Sequence, residues 1–352
     1  MCYNVENRLR KRLSKIMGTM RDVARRAGVA VSTVSHVINE TRFVRQETRA
    51  RVLAAIEELG YQRNSVARSL RRKKTHTIGL VIPDNANPFF AEVARGIEDV
   101  SYAHDYSVIL CNSDRDLRKE LSYVNILVEK QVDGIILVSA GVSTEHIVAL
   151  QERQKPVVVV DREIPDVNVD SVLTDNWGGG YEAVCYLIDF GHRRIGCISG
   201  PSELAPSAER VGGYKAALSN NGLEWEDNLI VRGDFQSASG YHAIEVLLSL
   251  PEPPTAIFAC NDLMAIGAMA RAIELGYRIP EDLSVIGFDD IALASFANPR
   301  LTTVVQPKYQ MGTLAAEILL QRIGNRSFAT RREVLSTELV VRNSTGQCKD
   351  IG

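Results

Sequence analysis

Residues 20–40 carry two short runs of apolar residues at helical spacing, one on each side of Gly28. The first run is formed by Val23, Ala24 and Ala27. The second run is formed by Val31, Val34, Val37 and Ile38. Glycine ends helices readily because it adopts the left-handed conformation without strain. Two short helices that meet at such a glycine predict a helix-turn-helix.

The second predicted helix is polar on the face away from its apolar residues. That face carries Ser32, Thr33, Ser35, His36 and Asn39. Short polar side chains of this kind can reach base edges and phosphates in the major groove of DNA. An ordinary helical hairpin with a solvated outer face has the same pattern, so the motif alone leaves both interpretations open.

A third helix is predicted over residues 45–59. Its apolar residues at helical spacing are Val52, Leu53, Ile56 and Leu59. Gly60 stands where that pattern stops, as expected at the end of a helix. The start of the chain therefore predicts a small all-helical domain.

The charge of the chain is divided unequally along its length. Residues 1–75 contain 18 Lys and Arg against 6 Asp and Glu, a net charge of +12. The remaining residues contain 23 against 37, a net charge of −14. A basic head on an acidic body indicates a polyanion as the partner of the head. Residues 1–18 lack periodicity and are predicted to be a disordered basic extension, with an arm that assists DNA binding as the alternative.

From residue 75 onward, apolar strands alternate with helices. Nine strands are predicted, at residues 77–83, 107–112, 134–139, 157–161, 171–174, 194–199, 229–231, 256–260 and 284–288. Apolar strands separated by helices favour parallel sheets covered on both faces. Nine strands are too many for one modest sheet. We therefore expect an α/β body of two lobes with doubly wound parallel sheets.

Length and composition are those of a soluble protein with two or three domains. Of the 352 residues, 45% are apolar and 24% are charged, and no apolar run approaches the length needed to span a bilayer. The six cysteines form no C-x-x-C pair, which favours a reducing cytoplasm. We expect a cytoplasmic protein with no membrane partner.

Signatures of catalysis are missing from the sequence. It contains no G-x-x-x-x-G-K-[ST], no G-x-S-x-G and no H-E-x-x-H. Its histidines and acidic residues show no metal-ligand spacing. We therefore expect neither enzyme activity nor a metal nor a cofactor.

Polar and aromatic residues cluster where the predicted strands end. These residues are Asn87, Phe89, Phe90, Asp161, Arg162, Phe235, Asn261 and Asp289, with Arg210 at a helix start and Gln306 in a crossover. Open α/β sheets bind ligands at this end of their strands. Carboxylate, amide and guanidinium groups bond hydroxyls, and phenyl rings cover the apolar faces of a sugar. One such residue usually caps a helix, but ten that converge from two lobes predict a small polar ligand.

The head resembles that of the lactose-repressor family of bacterial transcription factors. The resemblance rests on the runs RDVARRAGVAVSTVSHVINETRFV, ELGY and VARSL. Within the family it lies closest to the purine- and ribose-repressor branch. It extends from Thr19 to about Arg342. It implies a body similar to periplasmic sugar-binding proteins, in which the chain crosses between lobes near residues 161–175, near 299–306 and at the last strand. The implied parts are a headpiece at 19–62, a hinge helix and linker at 63–75, a two-lobed effector-binding and dimerisation core at 76–342 and a C-terminal tail at 343–352.

The resemblance also implies which residues contact DNA. They are Thr19, Ser32, Thr33, Ser35, His36, Asn39, Arg42, Tyr61, Asn64, Ala67 and Leu70. Leu70 would enter a base step of the minor groove and kink the DNA. The chain departs from the family at two positions. At Ala30 the family usually has Ser or Thr, whose side chain caps the recognition helix and stabilises it by about 1 kcal/mol. At Val31 the family often has a polar residue.

All ten cleft positions match ribose-contacting positions of ribose-binding proteins and ribose repressors, with Asp161, Arg162 and Arg210 the most telling. The runs HTIGLVIPD and GDFQSASGY resemble the catabolite control proteins, which bind a phosphocarrier protein. We therefore predict a homodimeric repressor that binds a palindromic operator under the control of a small sugar, ribose first. A purine- or phosphocarrier-responsive regulator is the alternative within the family. A sugar-binding or transport protein is the alternative from another class.

Overall fold

The computed structural model describes residues 18–61, 74–138, 145–164, 167–325 and 329–348. The chain divides into two compact units between Lys73 and Lys74. We call the first unit the headpiece and the second the body. The division falls inside the segment predicted as hinge and linker.

The headpiece is helical. Its helices are α1 (Met20–Ala27), α2 (Val31–Asn39) and α3 (Gln46–Glu58). The fully buried side chains of Val23, Val34 and Val52 join them in a small core. The predicted helix-turn-helix and third helix are confirmed. Gly18, which we assigned to the extension, belongs to this unit, because its N–H donates to the Leu59 carbonyl over 3.2 Å.

Local hydrogen bonds set the ends of α1 and α2. Thr19 and Asp22 form a capping box, in which the Asp22 N–H donates to Thr19 Oγ1 and the Thr19 N–H donates to Asp22 Oδ2. Gly28 ends α1 with a left-handed φ of 63°. Ala30 precedes α2 without a side-chain cap bond, as its methyl group requires.

Two residues of the predicted apolar faces lie outside the core. Val31 is 42% exposed, since it is the first residue of α2 and stands one turn before the buried Val34. Leu53 is 49% exposed. It is one residue beyond the buried Val52 on α3, a rotation of about 100° that turns its side chain from the core.

The first lobe of the body alternates strands and helices. Its elements are β1 (Thr77–Ile82), α4 (Pro88–Ala103), β2 (Ser107–Asn112), α5 (Leu117–Glu129), β3 (Gly134–Val138), α6 (Glu145–Glu152), β4 (Val157–Val160) and β5 (Asp170–Thr174). Apolar side chains pack on both faces of this sheet, in two separate buried clusters. The strands contain Ile, Leu and Val in continuous runs, as parallel strands buried on both faces require.

The second lobe repeats the same plan. Its elements are α7 (Asn176–Asp189), β6 (Ile195–Ser199), α8 (Ala205–Asn220), β7 (Ile230–Arg232), α9 (Ser237–Leu248), β8 (Ala256–Ala259), α10 (Asp262–Glu274), β9 (Ser284–Asp289) and β10 (Thr302–Val305). One large cluster, with Tyr214, Phe258 and Phe288 fully buried, forms its core.

The chain then returns to the first lobe and crosses once more. The remaining elements are α11 (Lys308–Gly324), β11 (Arg332–Leu335) and β12 (Glu338–Val340). In spatial order the sheets are β11-β5-β4-β3-β1-β2 and β12-β10-β9-β8-β6-β7. The chain crosses between lobes at Asp175, at Gln306–Pro307 and between Leu335 and Glu338, so the first two crossings lie at the ends of the predicted intervals.

The sheets agree with the predicted two-lobed α/β body, with three additions. The strands β10, β11 and β12 were not among the nine predicted, and β12 runs antiparallel to β10. The segment assigned to a C-terminal tail begins inside the second lobe, where Ser344 is fully buried and its carbonyl accepts from the Val285 N–H. Residues 343–348 therefore extend the core.

Candidate functional site

The outer face of α2 presents the predicted DNA-contacting residues. Ser32 is exposed, and Thr33, Ser35, His36 and Asn39 are partly exposed. The Nδ1 of His36 lies 2.8 Å from Thr41 Oγ1, a contact that orients the imidazole. Asn39 Nδ2 donates to the Ser35 carbonyl over 2.8 Å, so this amide is anchored within its own helix.

The other predicted DNA contacts divide into three groups. Arg42 is exposed in the loop after α2 and is followed by Phe43, a 94% exposed side chain that the sequence analysis did not single out. Thr19 uses its hydroxyl in the capping box of α1, and Tyr61 packs on the headpiece core. The remaining three, Asn64, Ala67 and Leu70, lie outside the described residues.

Nine of the ten predicted effector-binding residues line one cavity between the two lobes. They are Asn87, Phe89, Phe90, Asp161, Arg162, Arg210, Phe235, Asn261 and Asp289. The cavity has a volume of about 50 Å³, counted as the space that the centre of a water-sized molecule can occupy. One water needs roughly 10–15 Å³ by the same measure, so the enclosed space suits a single small ring.

Three cleft residues have strained backbones at the ends of their strands. The φ angles of Asp161, Phe235 and Asp289 are 63°, 68° and 112°. Such conformations cost non-glycine residues about 1–3 kcal/mol each and persist where surrounding contacts hold them. The strain aims two carboxylates and one phenyl ring into the cavity between the lobes.

Arg210 joins the acidic and aromatic parts of the cleft. It lies in the second turn of α8, one turn beyond the helix start at which the sequence analysis placed it, and is 3% exposed. Its Nη1 donates to the Cys260 carbonyl over 2.6 Å and lies 3.6 Å from Asp289 Oδ1. The guanidinium also lies 3.9 Å from the centre of the Phe288 ring. A buried cation with this many partners is fixed in position before any ligand enters.

Gln306 is the one predicted residue that does not line the cavity. Its Nε2 donates to Asp289 Oδ1 over 2.7 Å, and its Oε1 accepts from Thr174 Oγ1 over 2.6 Å. Gln306 stands at a lobe crossing and links the ends of β5 and β9. It therefore positions Asp289 instead of facing the cavity.

Asn87 and Asn261 have the capping role that a strand-end residue usually has. The Oδ1 of Asn87 accepts from the Phe89 N–H over 3.0 Å at the start of α4. The Oδ1 of Asn261 accepts from the Met264 N–H over 2.9 Å, and its Nδ2 donates to the Phe235 carbonyl. Both residues also line the cavity, so capping fixes their orientation there.

Asp161 has a buried oxygen for which the described residues supply no hydrogen-bond donor. This atom is Oδ1. Burial raises the pKa of Asp161 to about 7, with a further increase from Asp289 and Glu209 and an opposing effect of Arg210. A ligand hydroxyl or N–H at this point would satisfy the oxygen and favour its ionised form.

Arg162 brings a second guanidinium to the cleft. It is 7% exposed, and burial lowers its pKa while the Glu120 carboxylate raises it. Burial also raises the pKa of Asp289, against the effect of Arg210. Carboxylates and guanidinium groups thus line the same small space, which suits a ligand that donates and accepts hydrogen bonds on all sides.

Four further residues line the cavity and were missed in the sequence. They are Pro83, Arg115, Leu204 and Pro206. Three are apolar and carry no chemical signal of their own. Arg115 follows β2 in a loop with left-handed φ angles, where the strand-end argument could have found it.

The described residues contain no helix long and apolar enough to span a membrane. They also contain no cluster of three or more His, Cys, Asp or Glu suited to a metal ion.

The headpiece and the body each match a known protein family. Residues 19–64 match the bacterial regulatory proteins of the lacI family. Residues 75–345 match the periplasmic binding proteins and sugar binding domain of the LacI family. The chain belongs to the LacI family. It is therefore a DNA-binding transcriptional regulator with a ligand-binding core, in a family of regulators and not of enzymes.

Individual LacI-family proteins are similar to this chain over most of their length. The transcriptional repressor PurR of Photobacterium profundum is 40% identical over 329 residues, 93% of this chain and 98% of the relative. The solved structure of the CelR–cellobiose complex is 36% identical with a TM-score of 0.72, over 93% of this chain and 99% of the other. A ribose-bound regulator from Enterococcus faecium is 33% identical with a TM-score of 0.72, over 78% and 100%. The lac repressor dimer bound to operator and an anti-inducer is 28% identical with a TM-score of 0.85, over 94% and 99%.

Proposed function

We propose that this LacI-family repressor binds a palindromic operator as a homodimer in the cytoplasm, and that a pentose, ribose first, controls its operator affinity. The observation that carries the effector proposal is the buried Asp161 Oδ1, which needs a donor in a cleft that also contains Arg162 and Arg210. A pentose has several hydroxyl groups, and each can donate to a carboxylate and accept from a guanidinium.

On the DNA side, we propose that α2 enters the major groove. Ser32, Thr33 and His36 then contact base edges, while Arg42 contacts the backbone or nearby bases. The segment at 63–75 acts as the hinge helix, with Leu70 as the minor-groove wedge. Coupling arises because the ligand and the operator prefer different arrangements of the two lobes.

A purine is the second candidate, and the relatives' names favour it over ribose. The PurR repressor, a purine-responsive protein, is 40% identical over 93% of this chain, whereas the ribose-bound regulator is 33% identical over 78%. A flat base could lie between the phenyl rings of the cleft. The lining supports the pentose instead, because its carboxylate and guanidinium groups can bond hydroxyls around a whole pentose ring, whereas a flat base has donors and acceptors only along its edges.

Calorimetry on the full chain distinguishes these candidates. We expect ribose to bind, a hexose to bind at least about tenfold more weakly because its extra hydroxymethyl presses on the phenyl rings, and hypoxanthine not to bind. Arg162→Ala should abolish ribose binding, and Arg118→Ala, whose side chain is 92% exposed, should preserve it. If hypoxanthine binds and ribose does not, the purine alternative is right and the pentose assignment is wrong.

A further inference from the structure

The effector cleft adjoins a second cavity in the body. Asp161, Arg162 and Pro206 line both cavities, so the two cavities meet at these residues. The second cavity offers about 210 Å³ to the centres of water-sized molecules, against about 50 Å³ in the cleft. A ring in the cleft would therefore have space beside it for a larger substituent.

A flat aromatic surface lines this second cavity. Trp177 lies in the first turn of α7 and is 46% exposed. Its indole stacks on Tyr181 with ring centres 5.2 Å apart and an angle of 13° between the planes. The stack fixes the indole plane, and a fixed indole can hold a second flat ring by offset stacking or edge contact.

Hydrogen-bonding groups lie beside the indole. The Oε2 of Glu209 accepts from Asn176 Nδ2 over 3.1 Å, and Asn176 Oδ1 accepts from Arg210 Nε over 2.9 Å. Glu209 is thereby tied to the same Arg210 that organises the cleft. A carboxylate accepts readily from a ring N–H or an exocyclic amine, groups that heterocyclic bases carry on their edges.

Asp161, whose Oδ1 has no hydrogen-bond donor among the described residues, lines both cavities. An oxygen buried at that position can accept from a hydroxyl of a ring in the cleft while the substituent of that ring extends into the second cavity. A free pentose would leave the second cavity to water.

We infer that the effector is an N-ribosyl compound, with its pentose in the cleft and a flat nitrogen heterocycle in the second cavity beside Trp177 and Glu209. The inference rests on the proposed pentose effector and specifies what that pentose carries. It joins the two candidates of the proposed function in one ligand, because a purine ribonucleoside contains both.

The test is calorimetry on the full chain with ribose, hypoxanthine and inosine. Inosine should bind at least about tenfold more tightly than ribose, since stacking and the Glu209 contact add to the pentose contacts. Trp177→Ala should reduce inosine affinity to that of ribose and change ribose affinity less than about twofold. Trp177→Phe should retain most of the inosine affinity, because phenyl stacking replaces indole stacking.

Trp225→Phe serves as the matched control and the spectroscopic background. Trp225 lies under Lys215 and does not line either cavity. In this variant the fluorescence comes from Trp177, and inosine but not ribose should quench it. Inosine affinity no greater than that of ribose, or equal losses for both ligands in Trp177→Ala, would overturn the inference while leaving the pentose proposal in place. Binding of hypoxanthine without binding of ribose or inosine would overturn both this inference and the pentose proposal.

Discussion

Gln236 Nε2 donates a hydrogen bond to Asp84 Oδ2 over 2.9 Å, and the two residues belong to different lobes. Arg115 Nη2 lies 3.8 Å from the same Asp84 oxygen, and its Nη1 donates to the Asp234 carbonyl. These contacts bridge the lobes beside the cavity. They form only when the lobes are close, so they contribute to the free energy of closure.

The first prediction concerns this bridge. Gln236→Ala should weaken effector binding by about 0.5–1.5 kcal/mol, because the closed arrangement loses one hydrogen bond between lobes. Calorimetry measures the change, with the exposed Gln310→Ala as control. Equal affinities for Gln236→Ala and the parent chain would mean that the bridge does not stabilise closure.

The second prediction concerns stability. Arg210→Ala should lower the free energy of unfolding by about 3–5 kcal/mol, because it leaves the buried Asp289 carboxylate without its cation. Arg278→Ala removes an exposed pair with Asp282 and should cost about 0–1 kcal/mol. Urea unfolding provides both values. A loss at Arg210 as small as that at Arg278 would contradict the structural role of this guanidinium.

The third prediction concerns DNA sequence readout. His36→Ala should weaken operator binding by about 1–3 kcal/mol and relax the preference at one base pair. Gel-shift assays with single-substitution operators measure this, and His104→Ala, an exposed histidine in the body, is the control. Equal weakening on every DNA sequence would assign His36 to phosphate contact and exclude direct readout.

The fourth prediction follows from the pKa of Asp161, which burial raises to about 7. A ligand hydroxyl that donates to Asp161 favours the ionised carboxylate, so binding releases a proton below the pKa. Ribose affinity should therefore rise about tenfold between pH 6 and pH 8, as the ionised fraction does. Asp161→Asn should flatten this profile. A flat profile in the parent chain would show that the ligand does not bond the carboxylate.

Much of this fold follows from local sequence. Gly28 fixed the end of α1 because its left-handed conformation is a property of the residue itself. Strand-end positions predicted eight of the nine cleft residues, all except Arg210, because parallel strands end at the same edge of a sheet. Strands β10, β11 and β12 were missed because each mixes polar with apolar residues over only three or four positions. They therefore lack the continuous apolar run that marks equally short strands such as β4 and β8.

The roles of individual cleft residues could be assigned only from the tertiary structure. Gln306 positions Asp289 because a lobe crossing brings β5 and β9 together, and no sequence spacing encodes that distance. The exposure of Leu53 depends on which neighbours α3 packs against, which its own pattern does not state. The second cavity combines residues from four separate segments for the same reason.

The most direct test of the central claim is a titration of the operator-bound chain with ribose and, separately, with hypoxanthine. The operator affinity should change with ribose in one direction or the other, and Arg162→Ala should bind operator normally but lose the response. Hypoxanthine should leave the affinity unchanged. A shift with hypoxanthine and none with ribose would contradict the pentose-controlled repressor.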